Sequence, residues 1–427
     1  MNNLQRVQIA DGVYFNSIYD DRFKTSLIAV VMAVPLDKET VSPNALVPGI
    51  LTRSCKAYPT YLELSRKLDS LYGASLGGSS KKCGEMQIIS ISAGSIDDRY
   101  SLDGEPVFEK TAELLCSALF EPNAQNGEFD NDTFKNEQTQ LIDSIDAQFN
   151  DKRIYANLQM SEVMFAAEKY GINRLGTKEQ ALSLTPKAAF DAYENLLKTA
   201  RIEIMCLGSS DSENIKKMFE EKFSSIERSV SECTTQIIRR ADTIKKKTDN
   251  TDVVQSKLIM GFRTDCAEPE ETVSALKLMC AVLGGTAHSK LFNNVREKLS
   301  LCYYCVSRTD SVKGVLTVES GVEKENIEKT KAAVLRELDD MKNGIITDDE
   351  IDNAKRSLNT AYLSVTDSLS QLQGWYINRM LIDNFSTPEQ EAEKINAVTK
   401  EQIIEAAQKL TLDTVYVLTG TDETEGK

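Results

Sequence analysis

One residue in 427 is a histidine, His288, and that single copy limits the chemistry this chain can perform. Imidazole is the neutral nitrogen ligand of zinc sites and the side chain that titrates near pH 7. With one copy, no two-histidine metal site can be built within the chain, and a Ser-His-Asp or Cys-His arrangement would have to use His288 itself. His288 follows the turn Gly284-Gly285-Thr286-Ala287, which lacks the strand-Gly-x-Gly-x-x-Gly-helix setting of a phosphate cradle, so a surface loop is expected. The nine cysteines, an odd number, fall in apolar runs such as Leu114-Leu115-Cys116 and read as buried reduced thiols. Cys302-Tyr-Tyr-Cys305 has the spacing of a redox or zinc pair. Its surroundings read as a strand, however, and there residues three apart point to opposite faces. Arg296 and Tyr303 could act as a donor pair. Taken alone, they read rather as an arginine paired with a helix carboxylate and a half-buried strand aromatic; Tyr304 could substitute for Tyr303, although alternation places it on the opposite face.

The elements that must position these residues come twice. Each half opens with a strand-like run, Ser26 to Val34 and Ser256 to Phe262. Each continues through a helical segment into a hairpin-like pair: Tyr72 to Leu76 with Met86 to Ile91, and Leu301 to Val306 with Gly314 to Glu319. Two long helices follow, Val107 to Phe120 and Phe134 to Phe149 in the first half. In the second, Ile327, Thr330, Val334, Leu338 and Met341 recur at helical spacing, as do Ile351, Ala354, Leu358, Tyr362 and Val365. Each half closes with a helix and a strand, ending at Leu207 and Leu418. The expected fold is α+β: two homologous domains, 1–238 and 253–427, each a mostly antiparallel sheet with helices on one face, together forming a clam-like unit. The charged stretch 239–252, which includes Lys245-Lys246-Lys247, reads as a solvated linker.

Composition is that of an ordinary globular protein, 41% hydrophobic and 27% charged, and the chain is too long for one core. A formal charge of −15 argues against nucleic acid or an anionic membrane as the main partner. The N-terminal residues contain no apolar signal region and no 18 apolar residues run together, so a cytoplasmic location is expected.

The stretch Leu291-Phe-Asn-Asn-Val-Arg-Glu-Lys-Leu-Ser-Leu-Cys-Tyr-Tyr304 resembles the second-half signature of the M16 (pitrilysin/insulinase-type) metallopeptidases: Leu-Phe, then Arg-Glu-Lys, then an aromatic seven residues after the Arg. Gly171-Ile-Asn-Arg-Leu-Gly-Thr177 and the duplicated halves support the likeness, which covers essentially the whole chain. Peptidases of that family carry His-x-x-Glu-His on a first-half helix and a zinc-binding glutamate some 75 residues later. Setting Ser54-Cys55 on the family's Gly-Thr places Ala45, Leu46, Val47, Pro48 and Gly49 on the five motif positions, so neither ligand nor base is present. Pro48 and Gly49 also weaken the helix that would display them. Glu137 falls about where the distal glutamate would lie. Without the two histidines it reads as a surface residue of a long helix.

The resemblance implies that Arg296 and Tyr303 bind substrate backbone and developing oxyanion opposite a zinc. It further implies that the chain is the non-catalytic member of a heterodimer, with zinc carried only by an M16 partner and a peptide or unfolded protein as substrate. Asn44-Ala-Leu-Val-Pro and Leu71-Tyr-Gly-Ala-Ser-Leu76 are similar to the bacterial elongation factor P 5-aminopentanol modification-associated proteins, where zinc-bearing and zinc-lacking relatives occur together. The alternative is a pseudoenzyme that binds peptides, or serves as a scaffold, without a part in catalysis. In that case the Leu76-Gly-Gly-Ser-Ser edge could still take up a strand. A homodimer remains open for the isolated chain, as does a standalone active site of carboxylates and cysteines, for which no spacing argues.

Overall fold

The computed structural model describes residues 4–421, which divide into two compact units. The first holds the chain up to 146 with 172–234 and 367–381; the second holds 147–171, 235–366 and the chain from 382 onward. In the first unit the strands are β1 (Gln5–Ala10), β2 (Val13–Tyr19), β3 (Thr25–Pro35), β4 (Ser75–Cys83), β5 (Met86–Ile96), the short β6 (Ala124–Gln125) and β7 (Glu128–Phe129), and β8 (Arg201–Gly208). The second unit contributes β9 (Lys245–Asn250), β10 (Ser256–Arg263), β11 (Cys302–Asp310), β12 (Val315–Val322) and β13 (Thr411–Thr419).

The duplication is explicit in the strand orders, β1-β2-β8-β3-β5-β4 and β11-β12-β10-β13-β9. Reading the first from its far end pairs β4 with β11, β5 with β12, β3 with β10, β8 with β13 and β2 with β9. Even the exception is repeated: β2 runs parallel to β8, and β9 parallel to β13, in otherwise antiparallel sheets. The fold is therefore α+β, in two sheet-bearing halves. This topology corrects the reading of 239–252 as a linker, since Lys245-Lys246-Lys247 opens β9 and aligns with Thr414 to Tyr416. Among the described residues β9 is an edge strand with no buried side chain, so it reads as polar, and lysines on a sheet edge discourage further pairing.

Period-two alternation sorts β3 into two faces. Ile28, Val30, Met32 and Val34 join Ile89, Ile91, Ile202 and Ile204 in a core shared with the helices Val41–Leu51, Val107–Phe120, Pro186–Thr199 and Glu213–Ser224. In the second unit Leu258, Met260 and Phe262 of β10 pack with the helices Val273–Cys280, Ile327–Lys342 and Lys400–Lys409. Capping boxes at Thr347, Thr387 and Thr399 mark helix starts, each tying a threonine hydroxyl to the third backbone amide and a Glu or Gln back to the cap.

Neither unit is a continuous half of the chain. Residues 147–171, expected in the first domain, belong to the second unit, where Ala156, Met160 and Met164 of the helix Lys152–Met164 pack on Ile259, Val315, Tyr416 and Leu418, across β10 from the main core. Gly261 permits this approach, because a Cβ there would lie 2.5 Å from the Met164 sulfur. A buried ion network fixes the end of the excursion: Glu168 accepts from Arg263 at 2.7 Å and from Lys313 at 2.7 Å, and Arg263 also donates to Asp413 at 2.8 Å. Conversely the helix Leu369–Met380 belongs to the first unit, where the Met380 carbonyl accepts from Arg201 of β8 at 2.6 Å.

Candidate functional site

The helix Val41–Leu51 carries Ala45, Pro48 and Gly49. Contrary to the expectation from Pro48 and Gly49, it is regular through both. Val41, Leu46, Val47, Ile50 and Leu51 are all buried, and a side chain of this kind gains about 1.5–3 kcal/mol on burial, which outweighs the weak propensity. Thr52 closes the last turn, its amide and hydroxyl both donating to the Pro48 carbonyl at 3.3 and 2.8 Å. From β5, Gln87 donates to the Val41 carbonyl at 2.8 Å and accepts from Asn44 at 3.1 Å. The neighbouring edge strand β4 also lies directly against the helix: a Cβ on Gly78 would sit 2.4 Å from the Pro48 carbonyl oxygen.

The structure brings Glu137 to this helix. It lies on the helix Asn131–Asn150, and a Cβ built on Gly49 would be 2.3 Å from its Oε2. Its Oε1 accepts from Arg53 at 2.6 Å, with only 11% of the Glu137 side chain exposed. The surface-glutamate reading is thus corrected, for Glu137 is a half-enclosed ion-pair member filling the space that glycine leaves. Sequence reasoning missed Arg53, whose partner is 84 residues away and which carries no motif signal. The guanidinium also lies 5.2 Å from the Tyr61 ring. This donor set does not fit zinc. Ala45, Pro48 and Gly49 offer no ligand atom, and the remaining carboxylate is already bound to a cation. Among the described residues no group of three or more His, Cys, Asp or Glu is arranged to hold a metal ion.

In the second unit Arg296 lies on a π-helical stretch, Leu291–Lys298, anchored by the fully buried Leu291 and Val295. Wide helical turns of this kind recur at functional sites, and simple periodicity does not reveal them. Arg296 is half-exposed, 4.6 Å from the Phe292 ring and 3.3 Å from the Glu297 carboxylate. Tyr303 is 66% exposed. Both line a cleft of about 370 Å³ with Glu297, Ser300, Cys302 and Glu323. The half-buried strand reading fits Tyr304 instead, which packs over Gly321 of β12 and lies 4.7 Å from Arg153. The register explains the difference. Cys302 pairs with Val322 and Tyr304 with Gly321, so Tyr303 is an extra residue in a β-bulge. The bulge also corrects the expectation for the cysteines, placing Cys302 and Cys305 two ladder positions apart and so on one face. His288 is exposed, as expected of a loop.

The helix Val41–Leu51 offers no ligand atom at Ala45, Pro48 or Gly49, and the chain around it is a duplicated α+β fold. The comparisons give it a family. Residues 183–358 match the family described as "Peptidase M16 inactive domain". The chain is 30% identical to the "Probable inactive metalloprotease YmfF" of Bacillus subtilis (strain 168), over 96% of both chains. It is 24% identical to the "Uncharacterized zinc protease YmxG" of the same organism, over 59% of this chain and 61% of that one. A crystal structure of a conserved protein from Enterococcus faecalis V583 superposes with a TM-score of 0.91 at 29% identity, covering 99% of this chain and 100% of that one. The chain belongs to the M16 peptidase family and resembles its inactive members. Among the described residues no helix is long and apolar enough to cross a membrane.

Proposed function

We propose that this chain is the zinc-lacking subunit of a heterodimeric M16-type peptidase, and that it supplies Arg296 and Tyr303 to substrate bound at the zinc of a homologous partner. In this reading the chain itself carries no catalytic zinc and cleaves nothing alone. The observation that carries the proposal is the contrast between its two candidate sites. At the first, Glu137 and Arg53 consume each other in an ion pair against Gly49. At the second, a guanidinium and a phenol are presented on one cleft, with only the adjacent Glu297 paired to Arg296 among the described residues. Donors aimed where negative charge develops stabilise a transition state, and loss of one typically costs about 100- to 1,000-fold in rate. A relative named inactive and one named a zinc protease occur in the same bacterium, in line with such a pair.

The test is peptide hydrolysis by a zinc-motif homologue from the same organism, titrated with this chain. Stimulation that saturates at one-to-one stoichiometry and is lost with Arg296→Ala supports the shared site. Hydrolysis indifferent to both wild type and variant refutes it.

A further inference from the structure

The bulge at Tyr303 has brought two thiols together beside the proposed half-site. In a regular strand Cys302 and Cys305 would stand three steps apart on opposite faces. With Tyr303 looped out they occupy ladder positions two steps apart, against Val322 and Ser320 of β12. Two steps of about 3.3 Å put their Cα atoms roughly 6.6 Å apart. That is at the upper end of the 4.4–6.8 Å or so that disulfides bridge. Cys302 is half-exposed on the wall of the 370 Å³ cleft, whereas Cys305 is buried behind it. Of the nine cysteines only Cys83, Cys233 and Cys302 are not buried, and only Cys302 combines exposure with a neighbouring thiol.

We propose that Cys302 and Cys305 form an oxidisable thiol pair, with Cys302 the thiol that reacts with a peroxide and Cys305 the thiol that resolves it. The Cys302 thiolate attacks one oxygen of hydrogen peroxide; the O–O bond breaks, leaving a sulfenic acid on Cys302 and releasing hydroxide, which takes up the thiol's proton as water. The Cys305 sulfur then attacks the sulfenic sulfur. An S–S bond forms, the S–O bond breaks, and the departing hydroxyl leaves as water with the Cys305 proton. Two thiols are oxidised and one peroxide is reduced to two waters. The microenvironment favours this division of roles. A hydrogen bond from Cys305 holds the Cys302 thiol below its ordinary range, with the Arg296 charge adding to it, while the same contact and burial push Cys305 well up. Peroxide is neutral, so Glu297 and Glu323 on the cleft wall do not repel it.

Closing the bond tethers the residues that flank Tyr303 and fixes the bulge. The effect on activity rests on the function proposed above; the thiol chemistry does not. The experiment is peroxide treatment of the full chain, followed by alkylation and peptide mapping of Leu299 to Arg308, the tryptic segment that contains both cysteines. We expect this peptide to lose two hydrogens and its alkylation sites about tenfold or more faster than the Cys83 or Cys233 peptide is oxidised. In Cys305→Ser, Cys302 should instead persist as a sulfenic acid trapped by dimedone. Over-oxidation of wild-type Cys302 without the crosslink, or reaction no faster than at Cys83 and Cys233, overturns the proposal. A crosslink that forms but leaves stimulation of the partner unchanged refutes the link to the half-site alone.

Discussion

Gly49 leaves the room that the Glu137 carboxylate occupies, and a double-mutant cycle measures what that room is worth. In an open helix interior Gly→Ala stabilises by about 1 kcal/mol. Here the new Cβ would lie 2.3 Å from Glu137 Oε2, so the carboxylate must swing away and release Arg53. A hydrogen-bonded charge pair of this partly enclosed kind contributes about 1.5–3 kcal/mol. Gly49→Ala should therefore destabilise the wild type by about 0.5–2 kcal/mol, the difference between those two quantities. In an Arg53→Met background no pair remains to be broken, and the same substitution should stabilise by about 1 kcal/mol. Urea unfolding of the four proteins, followed by far-ultraviolet circular dichroism, yields a coupling of about 1.5–3 kcal/mol. Additivity to within about 0.5 kcal/mol would refute the argument that the glycine exists for the Glu137–Arg53 pair.

Ala45→His combined with Pro48→Glu and Gly49→His should create zinc binding that uses Glu137, and adding Arg53→Met should tighten it about 10- to 100-fold by freeing that carboxylate; competition with a chromophoric chelator reads both. Glu168→Ala removes the carboxylate that Arg263 and Lys313 share, leaving Asp413 as the anion of this buried network, and should cost about 3–5 kcal/mol in a denaturant titration. The same network predicts pH dependence. Burial raises the Glu168 pKa, but hydrogen bonds from Arg263 and Lys313 outweigh it and hold the carboxyl below its usual range. Its stabilising contribution is therefore present above about pH 4.3 and lost as pH falls through the depressed value, and the acid unfolding curve of Glu168→Gln should lack that component. Gly78→Ala places a Cβ 2.4 Å from a backbone oxygen that cannot rotate away, and thermal unfolding should show a loss of about 1–3 kcal/mol.

The strand and helix order was legible because both periods are strong. The helix from Val107 to Phe120 and the helix–strand pair ending in β8 stand where alternation and helical spacing place them. What the sequence did not reveal is non-local or arises from exceptions to period. The lysines of β9 read as a linker because an edge strand lacking an apolar face resembles a solvated segment until its neighbour β13 is known. The exchange of 147–171 and 367–381 between units leaves no local mark, since a helix that packs on one sheet has the same pattern as one that packs on another. The bulge at Tyr303 shifts alternation by one residue, enough to reverse the faces assigned to Cys302 and Cys305.

The two candidate sites hold their charged side chains in different ways. A carboxylate as enclosed as that of Glu137 needs a compensating charge. Arg53 meets that requirement here, and Gly49 gives Glu137 the space to reach it. The helix is then free to keep Pro48, since its position is fixed by apolar packing and by Gln87, with no demand from a ligand set. The arginine and tyrosine of the second unit face no such constraint. Arg296 stacks near Phe292 and Tyr303 projects from a bulge, an arrangement that costs ladder regularity and returns no packing for the exposed ring. Tyr303 is thus held outward by a local irregularity, on a cleft with a charged neighbour, which is what the proposed contact with substrate requires.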